Sequence, residues 1–168
     1  MLDVTQKEMM KIEPIGSVRY SIEQRDRFRS GELAEAWAKL FPEIFDGDDL
    51  RIAKSQPDYH FFEWLGAIVL RVTTGYLSLV EKYEFASHPR KNKILRDIVE
   101  PAVFEMMRAP GVQCPDLFVY SADHADWYFC EVKGNQDRIR PEQETYFRQL
   151  GQVCGRPVAL LEFRNTIV

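Results

Sequence analysis

Three charged side chains stand at the ends of two apolar runs. Asp116 opens DLFVY (116–120), Glu131 and Lys133 close WYFCEVK (127–133), and six polar or small residues separate the runs. Apolar, aromatic and β-branched content on both sides of a polar connection predicts a β-hairpin. A loop centred between Asp123 and His124 pairs Tyr120 with Trp127, Phe118 with Phe129, and Asp116 with Glu131. Period-two alternation puts Lys133 on the face of Glu131. Like charges opposite one another destabilise a sheet, and a half-buried carboxylate pair costs more still unless something compensates. A divalent cation would do so: carboxylates are hard ligands suited to Mg²⁺ or Mn²⁺, which keep water in their remaining positions. Lys133 beside them could orient or deprotonate an attacking water, or neutralise charge on a phosphate oxygen. Those are the components of metal-assisted phosphodiester hydrolysis. The same residue types at loose spacing also occur on solvated strands. Here, however, the opposite face carries Leu117, Val119, Cys130 and Val132, so helices are expected on both sides of the sheet.

The elements around the hairpin must aim these groups. Downstream, Pro141 suits the first turn of a helix and Gly155 its end, with Tyr146, Phe147, Leu150, Val153 and Cys154 as the apolar stripe. One turn back from Phe147, Gln143 falls on the sheet-facing side. RPVALLEF then reads as a strand, and strand–helix–strand spacing implies a parallel, right-handed crossover beside the Glu131 strand. Upstream, Phe61, Phe62, Leu65, Ile68, Val69 and Val72 recur at helical spacing up to Gly75. YLSLVEKYEF fits neither period and is open between strand and helix, with YLSLV as the candidate first core strand. ILRDIVEPAVFEMM returns to helical spacing, broken at Pro101. The N-terminal part reads as helical, with Leu33, Trp37, Leu40 and Phe41 on one stripe.

A chain of 168 residues, 45% hydrophobic and 12% aromatic, has enough apolar material for a core of its own. The start of the sequence lacks a basic segment followed by an apolar one, and WLGAIVL is too short to span a bilayer. A cytoplasmic address and no membrane partner are expected. Cys114, Cys130 and Cys154 form no CxxC pair and read as reduced, buried thiols. His60, His88 and His124 share no spacing and read as structural or surface residues. A net charge of −4 means that any nucleic-acid surface must be a local patch.

PD followed by EVK, continuing as EVKGNQDRIRPEQ, resembles the signature of the PD-(D/E)XK nuclease superfamily and, within it, the virus-type replication-repair nuclease (VRR-NUC) domains. The likeness covers about residues 111–163. It implies an α/β fold: a restriction-endonuclease-like core with a mixed central sheet flanked by helices (58–168), preceded by an N-terminal helical extension (1–57). Carried over position by position, Asp116 and Glu131 would hold Mg²⁺ or Mn²⁺ with the backbone carbonyl of Val132. Lys133 would serve the nucleophile and Gln143 would support the site. The superfamily often adds an acidic residue from an upstream helix, for which Glu63 is the candidate.

The expected activity is metal-dependent endonucleolytic cleavage of DNA, with RNA left open, on branched, flapped or invading substrates as the resemblance implies. Local cations must hold phosphates. The candidates are Arg138 and Arg140 beside the site, and Arg90, Lys91 and Lys93 in HPRKNKILR, for which a solvated helix start is the competing reading. A homodimer is expected because cutting two strands is simplest with two sites. The competing functional class is a noncatalytic nucleic-acid-binding or assembly module on the same fold.

Overall fold

The structure, a computed structural model, describes residues 10–166. In chain order it contains β1 (Glu13–Tyr20), α1 (Ile22–Arg29), α2 (Glu32–Leu40), α3 (Gly47–Ser55), α4 (Phe61–Thr74) and β2 (Leu77–Val80). There follow α5 (Pro89–Ile98), α6 (Pro101–Met107), β3 (Leu117–Tyr120), β4 (Trp127–Lys133), α7 (Pro141–Cys154) and β5 (Ala159–Asn165). The five strands form one mixed sheet in the order β1-β5-β4-β3-β2. β2, β3 and β4 run antiparallel in sequence, and β4, β5 and β1 are parallel.

The hairpin register is the one the alternation implies. Tyr120 faces Trp127 and Phe118 faces Phe129, and the ladder closes at Leu117 opposite Cys130, one residue short of Asp116 and Glu131. Helices cover both faces. On one side α1–α4 pack Phe28, Trp37, Phe45, Phe61 and Trp64 against Leu117, Val119, Cys130, Val132 and Leu161. On the other, α5–α7 bring Leu95, Phe104, Phe147 and Leu150 onto Phe118, Tyr120 and Phe129. α4 stops at Gly75 and α7 at Gly155, both left-handed (φ 79° and 69°), a conformation that spares glycine the Cβ clash.

Two features depart from the expectations. The segment EPIGSVRY belongs to the stretch read as an N-terminal helical extension, yet it is a strand, paired parallel with β5 from Glu13–Ala159 to Tyr20–Asn165. Its pattern hid it: Pro14 and Gly16 are poor strand residues, a bulge lies between them, and most of the strand is exposed. What makes it a strand is pairing with residues almost the whole chain away. Residues 1–9 of that extension lie outside the described residues. Second, Leu40, Val72 and Val153, assigned to apolar stripes, are exposed. YLSLV resolves as β2, antiparallel to β3.

Candidate functional site

β3 and β4 deliver the two acids to one point. The Asp116 backbone N–H donates to Glu131 Oε2 (3.2 Å), and Asp116 Oδ2 accepts from the Val132 N–H (2.9 Å). An extended residue projects its C=O to the same strand edge as its N–H, so the Val132 carbonyl shares the Asp116 side. Glu131 is 2% exposed and Lys133 9%, an unusual depth for charged groups. Their compensation is mutual, with Lys133 Nζ 2.8 Å from Glu131 Oε1.

α7 supplies the third side. Gln143, 5% exposed, donates from Nε2 to Glu131 Oε1 (3.3 Å), and its Oε1 accepts from Lys133 Nζ (3.4 Å). The same Oε1 accepts from the Arg140 backbone N–H (3.1 Å), one of the donors a helix start leaves unpaired. Gln143 therefore closes the helix terminus and fixes the acid–lysine pair at once.

α4 brings a third acid, Glu63, from its first turn, and Glu81 is the fourth. His60, Glu63 and Glu81 each present a ligand atom within 4.8 Å of the others, with His60 Nδ1 3.3 Å from Glu81 Oε1. Glu81 follows β2 and is tied to the hairpin by its N–H, which donates to the Asp116 carbonyl (3.0 Å). Burial pushes Glu63 up to about 6, with repulsion from Glu81 and Glu131 adding to it. Asp116 is raised well above the carboxylate range by burial and then by Glu131, Glu63 and Glu81. Burial also raises Glu131, against the opposing pull of Lys133. For Lys133 burial acts downward, but the Glu131 contact outweighs it and the ammonium is held above its ordinary range.

His60, Glu63 and Glu81 form one group of ligand atoms that could hold a cation, next to the buried Asp116–Glu131 pair with its Lys133 ammonium, and carboxylate oxygens of this kind fit Mg²⁺ or Mn²⁺. The fold brings Asp116, Glu131, Val132, Lys133, Gln143 and Glu63 together. His60 and Glu81 join them unforeseen. His60 caps α4 three residues before Glu63, which is visible in the spacing, whereas Glu81 could be found only from the β2–β3 register.

The basic candidates separate. Arg138 is exposed in the β4–α7 loop, and Arg140 reaches Gln113 on the other side of the site. Each of the HPRKNK cations is paired with an acid. Lys91 is 5% exposed, with Nζ 2.7 Å from Asp49 Oδ1 and 2.7 Å from the Val80 carbonyl. Arg90 bridges Asp46 and Asp49, and Lys93 pairs with Asp97 on α5. The expectation for Lys91 is corrected on physical grounds: a buried ammonium whose donors are taken by a buried carboxylate and a strand end fastens α3 and α5 to β2.

No protein-family model matches the chain, and no curated protein does. Among solved structures it is similar to the crystal structure of paFAN1 bound to 2nt 5'flap DNA with gap, at 18% identity and a TM-score of 0.30, over 86% of this chain and 22% of that one. The chain thus spans about a fifth of the length of that protein. Among the described residues no helix is long and apolar enough to cross a membrane.

Proposed function

We propose that the chain is a divalent-cation-dependent nuclease that hydrolyses DNA phosphodiester bonds. The observation that carries this reading is the buried Asp116–Glu131 contact with Lys133 2.8 Å from Glu131. Lys133 compensates Glu131, but Asp116 has no cationic partner among the described residues, and a bound divalent cation would offset its burial. Asp116, Glu131, the Val132 carbonyl and Glu63 would hold Mg²⁺ or Mn²⁺, with His60 and Glu81 beside Glu63. Such an ion supplies Lewis-acid activation of water and neutralises charge on the phosphoryl oxygens.

The chain's own groups do the rest. Hydrolysis joins a water oxygen to phosphorus and breaks a P–O ester bond, while negative charge builds on the phosphoryl oxygens. Lys133, held as an ammonium by Glu131 and Gln143, is a fixed donor for one of those oxygens. Because it is positioned before the reaction, it stabilises the transition state without reorganisation. Gln143 keeps Glu131 and Lys133 in register. A single domain carries one such site, and a homodimer would serve the cutting of two strands. Branched, flapped or invading DNA would be the substrate.

The test is cleavage of labelled linear, flapped and four-way-junction DNA with Mn²⁺, Mg²⁺ or chelator, by wild type and Lys133→Ala. Metal-dependent cutting that disappears in the variant is expected. A folded wild type that loads Mn²⁺ and cuts none of them would overturn the enzyme reading in favour of a binding module.

A further inference from the structure

A groove of about 570 Å³ opens beside Lys133, between the 134–139 loop and β5. Its charged lining is Lys133, Asp137 and Arg138 on one side and Glu162 and Arg164 on the other. The register explains how these groups come together. Lys133 of β4 lies opposite Glu162 of β5, and two residues further along, Arg164 lies opposite Arg19 of β1. Phe163 and Tyr20 are buried in the α1–α4 core, so alternation turns Arg164 and Arg19 to the other face, the face of Glu131 and Lys133. Among the described residues no helix closes this end of the face: Ser17, Arg19 and Arg164 are all exposed.

Two arginines opposite one another across neighbouring strands repel, as two carboxylates do. At the Asp116–Glu131 end the compensation comes from Lys133. At the arginine end it is mostly lacking. Among the described residues, Arg164 has one acidic contact, Glu162 at 3.6 Å, while Arg19 and Arg138 have none. Asp137 is turned the other way, with Oδ2 4.0 Å from Lys133 Nζ. Arg19 and Arg164, the latter with its single 3.6 Å contact to Glu162, thus sit one pleat, about 6.6 Å, beyond the Lys133–Glu162 pair along the strands.

We propose that this groove carries the scissile strand away from the cleavage site, with one backbone phosphate between Arg164 and Arg19 and its neighbour at Arg138. The inference rests on the nuclease reading and names the surface that site would use. The contacts are to phosphate and are therefore indifferent to base sequence. The guanidinium fork suits the bidentate geometry of a phosphate oxygen pair.

The experiment measures binding of fluorescein-labelled single-stranded and duplex DNA to the full chain by anisotropy, in chelator, across a salt series. Replacing Arg19 and Arg164 together by Gln should flatten the slope of log K against log salt by roughly 0.7–0.9, the contribution of the one phosphate no longer neutralised. Lys39→Gln, an exposed lysine on α2, should leave the slope unchanged. Arg164→Gln alone should take about half of the double variant's effect, and serves if the double variant misfolds. A double variant that melts like wild type yet keeps its affinity and slope would overturn the proposal. Hydrolysis of bis(p-nitrophenyl) phosphate with Mn²⁺ separates the two readings, because this small diester does not reach the arginines. Unchanged hydrolysis by the double variant, with DNA binding weakened and its salt slope flattened, supports both. Failure of wild type to cut either the diester or DNA sinks the nuclease reading, while a flattened slope would still establish the phosphate groove.

Discussion

The backbone N–H of Asp116 donates to Glu131 Oε2 at 3.2 Å, so the two acids that open and close the hairpin are joined directly. The Val132 N–H returns a bond to Asp116 Oδ2 at 2.9 Å. This holds one carboxylate against the other without a counterion between them, and Lys133 is the nearby ammonium. Removing Lys133 should therefore affect chemistry and stability differently. Lys133→Ala should lower the cleavage rate by about 10²–10³, in line with losing one preorganised transition-state donor. Glu131 would lose its buried partner as well, so a Tm fall should accompany the slower rate. A variant that keeps wild-type kcat would remove Lys133 from the reacting centre.

The carboxylate cluster makes stability depend on pH with a defined sign. In the folded state Glu63 is raised from 4.5 to about 6, so between those values the native state binds more protons than the unfolded one. Its stabilising contribution is complete below 4.5 and is lost as pH rises through about 6. In chelator, the stability difference between wild type and Glu63→Gln should shift against wild type over this interval. Urea melts at each pH check this, and a flat difference would mean that Glu63 is solvated.

Mn²⁺ should reverse that disadvantage. At a hundredfold excess over Kd, a bound ion adds about 2.7 kcal/mol of stability through mass action. Calorimetric melts should show the gain in wild type and most of it should vanish in Asp116→Ala. An equal gain in both proteins would place the ion elsewhere.

Lys91 should behave as a structural residue. Lys91→Ala leaves Asp49 buried without its 2.7 Å partner and frees the Val80 carbonyl, at a cost of about 3–5 kcal/mol. Denaturant unfolding reads this directly. DNA binding at temperatures where the variant remains folded should be close to wild type.

Gly134 follows Lys133 where the backbone crosses the Phe62 ring. A Cβ there would lie 2.5 Å from Phe62 Cε2, so Gly134→Ala must displace the ring and should cost about 1–3 kcal/mol. Phe62→Leu should recover part of that stability in the double variant. Additive effects in a thermal melt would show that the strain is relieved some other way.

Much of the site was legible because it is built from local patterns. The hairpin register follows from counting outward from the 121–126 loop, and it brings Asp116 to Glu131 without tertiary information. Gln143 follows from the period of α7, since the Phe147–Leu150 stripe extrapolates back one turn. Lys91 was misread because a Lys in a basic run looks the same whether it meets solvent or a buried carboxylate. The buried carboxylate, Asp49, lies forty-two positions away in the chain.

By itself the amino-acid sequence determined the alternation that makes β3 and β4 a hairpin with its acids at one end, and the helical periods of α4 and α7. These depend on neighbours within a few residues, where backbone geometry dictates which side chains share a face. Only the tertiary structure decided that EPIGSVRY is a strand, that Glu81 and His60 stand beside Glu63, and that Arg19 meets Arg164. Each depends on segments far apart in sequence, whose pairing is set by how the whole core packs rather than by any local preference.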